Sequence, residues 1–362
     1  MKIAFFNSIA TWGGGEKWHY DASVSFANAG HDVYFFGAPQ GIIANKLKDN
    51  KDVKFIPVQL SNTSFLNPIK LLQLKENFKR LKLDILVINH PGDLKIAAHA
   101  AHLAKIPHII YRRGSAIPIK DRLLNRHIFK NWVTDILANS KATKNTITEL
   151  NPDLFPIDKI KVIYNPIDIT EFLERPYTPV IPKSNDVLTI GSLGRLAPQK
   201  NQFFLIDLSK KLKEQQIPHK IYIGGIGSLQ EELLAYSKEN NTEDTVVFLG
   251  FLDNVKNLLM EIDVFVLPSL WEGFGYVLAE ASLCKKPIIA FNSSSNPELV
   301  LDNETGYLIP ENNLDAAVDK IKILQDPTLR SKLGEQGFNY CSQTFDKNKI
   351  SEELHRYFTG LV

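Results

Sequence analysis

The sequence of 362 residues predicts an α/β protein made of two doubly wound halves, each on a parallel sheet. Three observations carry this. Short β-rich runs alternate with amphipathic stretches along the whole chain, as parallel strands joined by right-handed helical crossovers require. In mid-chain, EFLERPYTPVIPKSND places Pro176, Pro179 and Pro182 close together, loses the amphipathic period, and is followed by a fresh start of the alternation. The length also exceeds what one hydrophobic core usually supports.

In the first half the runs KIAFF, DVYFF, VKFIPV, DILVI, HIIY and DILA read as strands bounded by turn residues. Between them NPIKLLQLKENFKRLKL spaces Ile69, Leu72, Leu74, Phe78 and Leu81 as a helix stripe. The second half repeats the theme with LTIGS, KIYIGG, TVVFLG, DVFVLPS, PIIAF and GYLIP. At the end KNKISEELHRYFTGLV sets Ile350, Leu354, Tyr357, Phe358 and Leu361 on one apolar helix face. The plan is an N-terminal domain over 1–170, a linker over 171–186, a C-terminal domain over 187–345 and a terminal helix over 346–362.

Composition narrows the class. Apolar residues at 44% and charged residues at 23% fit a globular protein rather than a disordered or fibrous one. Cys284 and Cys341 are the two cysteines and lie outside any C-x-x-C pattern, which argues against a disulfide framework or a cysteine metal site and for a reducing, cytoplasmic setting. The opening MKIAFFN reads as a strand, since Asn7 ends the apolar run far short of a signal sequence. No run approaches the roughly 20 apolar residues of a spanning helix, so membrane contact is expected to be peripheral.

The net charge of +2 hides an asymmetry. Residues 1–175 hold 24 Lys and Arg against 16 Asp and Glu, and the remainder 18 against 24. Lys70, Lys75, Lys79, Arg80 and Lys82 share one predicted helix, and Lys120, Arg122, Arg126 and Lys130 cluster in PIKDRLLNRHIFKNW. Such faces suit an anionic membrane surface on its inner side, or are simply solvated. They are not interleaved with stacking aromatics, so nucleic acid is not an expected partner.

In open parallel sheets ligands sit at the carboxyl ends of strands, which gives weight to motifs that directly follow them. After the first strand, Gly13, Gly14 and Gly15 open a helix in NSIATWGGGEKW, a form that serves close phosphate approach or merely a tight connection. It does not fit G-x-G-x-x-G, which argues against a nicotinamide dehydrogenase. GSLGRLAPQKN puts Arg195 and Lys200 in a strand-end loop, a pair suited to a pyrophosphate. GGIGS at 224–228 is a third loop of this kind. In SLWEGFGYVLAEA, Glu272 falls in the loop after DVFVLPS and Glu280 inside the helix that Gly275, Tyr276 and Val277 begin. Buried carboxylates need partners, and a ligand is one way to supply them.

GGGEKW, GSLGRLAPQKN and the E-x7-E of SLWEGFGYVLAEA, together with VIYNPID, GFLDNVKNLL and SSNPELVLDNETGYLIP, resemble retaining glycosyltransferase family 4. The resemblance spans most of the chain and implies the GT-B fold, with two Rossmann-like domains facing a central cleft and a last helix crossing back to the N-terminal domain. It implies a nucleotide-diphosphate sugar as co-substrate, no further cofactor, no metal, and a glycan or lipid-linked acceptor of the cell-surface polysaccharide or lipopolysaccharide type. By the same resemblance Arg195 and Lys200 hold the donor pyrophosphate, Glu272 the transferred sugar and Glu280 the ribose. Gly14, Gly15, Gly194, Phe274, Gly275, Tyr276 and Val277 complete the donor site. Transfer with retention would follow from same-face attack, the leaving phosphate accepting the acceptor's proton.

One departure stands out. Where members of the family often have a histidine before a glycine, IPHIIYRRGS has Arg113 before Gly114. That histidine's role does not pass to His90 or His108. Arg112 and Arg113 are acceptor-side candidates for an anionic group, or members of a structural ion pair. A GT-B-fold sugar-nucleotide epimerase and a non-catalytic sugar-nucleotide binding protein are the alternative readings. A glycosidase, with carboxylates about 5–10 Å apart across the scissile bond, does not explain the cations and glycine loops.

Overall fold

Every run read as a strand is one, and each half gathers its strands into a single parallel sheet. The computed structural model describes residues 1–61, 63–182 and 186–362. In the first half β1 (Lys2–Asn7), β2 (Asp32–Gly37), β3 (Val53–Pro57), β4 (Ile85–Ile88), β5 (His108–Arg113), β6 (Asp135–Ala138) and β7 (Ile160–Val162) lie in the order β3-β2-β1-β4-β5-β6-β7. In the second half β8 (Leu188–Leu193), β9 (His219–Gly224), β10 (Val246–Gly250), β11 (Val264–Leu267), β12 (Ile288–Phe291) and β13 (Gly306–Ile309) lie in the order β10-β9-β8-β11-β12-β13. The direction of winding reverses between β1 and β4 in one sheet and between β8 and β11 in the other, which creates a crevice at the carboxyl end of each pair.

Both faces of each sheet are covered, so the central strands read as continuous apolar runs. Along β1, Ala4 and Phe6 enter one core with Leu86 and Ile88 of β4, while Ile3 and Phe5 enter the opposite core with Ile85 and Val87. The period of two sorts one strand between two cores. The helix Pro68–Leu81 corrects the stripe read from sequence: Leu71, Leu74, Phe78 and Leu81 face the core. Ile69 and Leu72 are 66% and 52% exposed, because they fall off the i, i+3, i+7 line that the other four define.

The chain divides into two units, Met1–Pro166 with Asn348–Val362, and Ile167–Lys347. Ile350, Leu354 and Phe358 of the last helix, Lys347–Thr359, are buried in the core that contains Phe5 and Phe26. The segment 171–186 read as a linker packs, over its described residues, as part of the second unit, and residues 183–185 lie outside the described residues. The reason is a buried lysine. Lys256 Nζ donates to the carbonyls of Phe172, Leu173 and Arg175 at 3.1, 2.8 and 2.7 Å. Asn254 Nδ2 donates to the Pro176 carbonyl at 2.8 Å, and the Thr178 amide to Asn257 Oδ1 at 2.9 Å. The Phe172, Leu173 and Arg175 carbonyls belong to the last turn and cap of the helix Ile169–Glu174, where carbonyls lack helical donors and favour a cation.

Candidate active site

In the second unit the crevice between β8 and β11 brings Lys200 and Glu272 into contact. Lys200 closes a short 3-10 turn, Pro198–Lys200, in the loop after β8, and Glu272 stands in the loop after β11. Lys200 Nζ donates to Glu272 Oε1, and the two side chains keep only 17% and 8% of their surface. A carboxylate this buried is costly without a counter-charge, and Lys200 is that counter-charge.

The loops around the pair are tied by backbone and amide contacts that the sequence reading did not include. Gln199 Nε2 donates to the Trp271 carbonyl at 2.7 Å while the Leu270 amide donates to Gln199 O at 2.9 Å, which laces the two loops together. Ser294 Oγ and Ser295 Oγ both donate to the Glu272 carbonyl, at 2.6 and 3.1 Å. GGIGS is tied to the loop after β8: the Gly194 amide donates to Gly224 O at 3.0 Å and the Leu196 amide to Ile226 O at 3.1 Å. The usable signal for the two serines was their place at the start of SSNPELVLDNETGYLIP, in the loop after the strand PIIAF.

Arg195 is exposed, and its guanidinium makes no hydrogen bond or ion pair among the described residues; Gln202 Nε2 fixes its carbonyl at 3.0 Å. Gly194 packs on the methylenes of Lys200, where an added β-carbon would lie 3.2 Å from Cδ and Cε. Phe274 is buried, edge to face with Tyr276 and Phe345 at 5.3 and 5.2 Å, so its ring supports the loop from behind. Gly275 caps the helix Tyr276–Leu283 with φ +80° and ψ +58°. That left-handed turn favours glycine, and it starts the helix, with Tyr276 and Val277 in its first turn, directly after the loop that holds Glu272. Glu280 is half-buried in the second turn of this helix, whereas Glu272 stands in the loop before it.

In the first unit the equivalent crevice, between β1 and β4, is built from different chemistry. Gly14 and Gly15 are the first residues of the helix Gly14–Asn28, and a β-carbon on Gly15 would come 2.6 Å from Asn89 Nδ2. Asn89 in turn accepts from Arg112 Nη1 at 3.2 Å, Arg112 Nη2 donates to Asn165 Oδ1 at 2.7 Å, and the guanidinium stacks 4.9 Å from the Trp18 ring centroid. Arg112 is thereby 2% exposed. Arg113 points elsewhere, to the Tyr111 hydroxyl at 3.2 Å and the Ile117 carbonyl. Next to Arg112, His19 is fully buried, and burial first and the Arg112 charge second hold its pKa well below the ordinary histidine range. His90 accepts from the Gly92 amide at 3.2 Å and caps the helix Pro91–Leu103, and His108 lies 3.6 Å from Asp135.

Asp93, 2% exposed, accepts from the Ser8 amide at 2.8 Å and from Ser8 Oγ at 2.5 Å. This pins the loop after β1 to the helix after β4. Burial raises its pKa, against the hydrogen bonds from Ser8. Among the described residues no three His, Cys, Asp or Glu side chains gather as a metal-ligand set.

Two parallel sheets, each with a switch in strand order, are the architecture expected of the GT-B class, and comparison with known proteins agrees. The model described as "Glycosyl transferases group 1" matches residues 177–340, and that described as "Glycosyltransferase Family 4" matches residues 12–171. The chain is 28% identical to UDP-Gal:alpha-D-GlcNAc-diphosphoundecaprenol alpha-1,3-galactosyltransferase of Escherichia coli, over 96% of each chain. It is 26% identical to N-acetylgalactosamine-N,N'-diacetylbacillosaminyl-diphospho-undecaprenol 4-alpha-N-acetylgalactosaminyltransferase of Campylobacter jejuni, over 87% of this chain and 85% of that one. Among solved structures, Anabaena HepE in complex with UDP superposes with a TM-score of 0.82 at 21% identity, covering 99% of this chain and 100% of that one. The chain therefore belongs to glycosyltransferase family 4 and is a glycosyltransferase with the GT-B fold. The epimerase and binding-protein readings are not favoured by these relatives.

Proposed function

We propose that this glycosyltransferase moves a sugar from a nucleoside-diphosphate sugar to a hydroxyl of a glycan carried on a lipid diphosphate, with retention and without a divalent metal. The observation that carries the proposal is the Lys200–Glu272 contact in the crevice of the second unit. Each group has the other as partner before donor arrives. A nucleotide sugar offers a better one to both, a phosphate to Lys200 and hydroxyls to Glu272. Arg195, exposed and unengaged, adds a second cation for the diphosphate, and Glu280 is the candidate for the ribose.

Charge on the leaving diphosphate grows as the glycosidic bond breaks, so cations already positioned there lower the barrier without reorganising. Their presence is the argument for metal independence, and unchanged turnover in EDTA is its test. Retention follows if the departing phosphate oxygen takes the acceptor's proton on the face it leaves; the anomeric configuration of the product, read by proton coupling, decides it. The names of the two curated relatives support a lipid-diphosphate acceptor.

Peripheral contact with an anionic membrane belongs to the same proposal. Leu66, Ile69 and Leu72 are 70%, 66% and 52% exposed beside the basic helix Pro68–Leu81. Some of the basic residues are already engaged: on that helix Lys70 Nζ donates to the Gln59 carbonyl at 2.9 Å, and in the second basic cluster Arg126, on the helix Leu123–Asn131, pairs with Asp121 at 2.5 Å. No helix among the described residues is long and apolar enough to cross a membrane. A panel of nucleotide sugars read by thermal shift identifies the donor, and failure of every one to stabilise the chain would remove the donor assignment.

A further inference from the structure

The loop that leads into the glycine turn carries a feature that the donor site does not use. Trp12 is 38% exposed and meets Tyr20 edge to face, with ring centroids 6.2 Å apart and planes at 66°. In the angle between the rings sits Lys46, its Nζ 4.9 Å from the Trp12 centroid and 5.7 Å from that of Tyr20. Three elements supply these side chains: the loop after β1, the helix Gly14–Asn28, and the helix Ile42–Leu47 that follows β2. The Ile42 amide donates to the Ala10 carbonyl at 3.1 Å and fastens the start of the helix Ile42–Leu47 to the loop after β1. The cradle therefore stands at the carboxyl edge of the sheet, directly before the glycine turn.

Two rings restrain the ammonium by weak attraction to their faces without neutralising it. Lys46 makes no ion pair among the described residues and stays exposed. A lysine at such a surface ordinarily ranges over many rotamers, and here its full charge is held in one place beside an apolar ring. Charge and ring together match a ligand that is anionic at one point and saturated next to it. An exposed indole offers apolar surface to the C–H face of a pyranose, and the cation meets a phosphate.

We propose that Trp12, Tyr20 and Lys46 form an acceptor subsite for a phosphate-linked sugar, with Lys46 on the phosphate and the exposed part of Trp12 on the sugar. This rests on the glycosyl-transfer reading above and adds which part of the acceptor is held and by what. Two sources carry that chemistry, a sugar on a lipid diphosphate and a sugar on a phosphodiester polymer.

Calorimetric titration of the full chain tests it with three probes: N-acetylglucosamine joined through a diphosphate to a short alkyl chain, the same sugar as a neutral alkyl glycoside, and a glycosylated ribitol-phosphate oligomer. The expected result is that one or both anionic probes bind more tightly than the neutral glycoside, the tighter identifying the source. Lys46→Met should weaken the anionic probe about tenfold, as loss of one charge-assisted contact does. Lys46→Arg should retain most of the affinity, and Trp12→Ala should weaken charged and neutral probes alike. Equal affinity of the Lys46→Met variant and the parent, equal affinity for charged and neutral probes, or no binding of either anionic probe overturns the subsite. The thermal shift given by a nucleotide sugar, measured on the same samples, reads the donor site independently. It should be unchanged in Lys46→Met, and its absence from the parent chain would count against the glycosyl-transfer reading rather than against the subsite.

Discussion

The two sheets share one topology at their switch points and fill it with opposite chemistry. Between β8 and β11 a lysine and a glutamate hold each other where the loops after β8, β9, β11 and β12 are tied together. Between β1 and β4 an arginine is immobilised by two asparagine side chains and an indole ring, and a buried aspartate holds a serine. The first arrangement can exchange partners with an incoming ligand, because Lys200 and Glu272 are held chiefly by each other and a ligand that pairs with both replaces that contact. Arg112 cannot do so readily, since its contacts also fix the loops around it. A switch point thus supplies a place, and the side chains decide whether the place is chemically available or structural.

The contrast breaks most sharply at Lys200. Lys200→Ala should lower kcat/KM for transfer by about 100-fold or more, the usual scale for removing a group that stabilises developing charge. It should also lower the melting temperature, because Glu272 loses its counter-charge in a buried place. The double variant Lys200→Met, Glu272→Gln should recover stability and not activity; recovery of both would make the pair merely structural.

Arg112→Ala is expected to act the other way, costing about 2–4 kcal/mol of stability through an emptied site and unpaired amides. Denaturant titration reads this, while the thermal shift caused by the donor should persist. A fully stable but inactive Arg112→Ala protein would show that the arginine meets substrate after all. Arg112→Lys should rescue little, since one ammonium cannot bridge Asn89 and Asn165 in fork geometry while stacking on Trp18.

A smaller effect is expected at Gly275, where any side chain at φ +80° is strained by about 1–2 kcal/mol. An added methyl would also press on Leu278 Cδ1 at 3.2 Å. Gly275→Ala should therefore reduce stability modestly and donor binding more, since it displaces the start of the helix Tyr276–Leu283.

Smallest at neutral pH is the contribution of the thiols. Burial pushes both Cys284 and Cys341 up from 9.0 to about 12. The folded chain keeps protons that the unfolded chain gives up, so stability should fall as the pH rises from 9 toward 12 and be flat below that window. Native protein should resist alkylation at neutral pH and react at both sites in denaturant; fast labelling of the native chain would contradict the burial.

How legible all this was depended on how local the cause is. Strands such as DILVI and DVFVL announce themselves because both faces of a parallel sheet are buried, and no polar position interrupts the run. β7 escaped as a strand because it has three residues at the sheet's edge, with Lys161 exposed at its centre. The stripe assigned to the helix Pro68–Leu81 took in Ile69 and Leu72 since apolar residues on a short helix can be joined by more than one line. At the site, the residue types were readable from motifs that follow strands, but not that Lys200 and Glu272 would meet. That contact spans 72 positions and depends on β8 and β11 being neighbours. Of the asparagines that hold Arg112, Asn165 lay in the quoted VIYNPID but with no role attached, and Asn89 gave no signal, because amide side chains at strand ends are ordinary.

The lysine-glutamate contact has a bearing on turnover. On the proposed assignment, intact donor satisfies Lys200 through its phosphates and Glu272 through its sugar. The spent nucleoside diphosphate offers only the first, and Glu272 then competes for the lysine from within the site. The resting contact is thus an internal competitor that weakens product inhibition, and it disfavours the discharged carrier more than the loaded one.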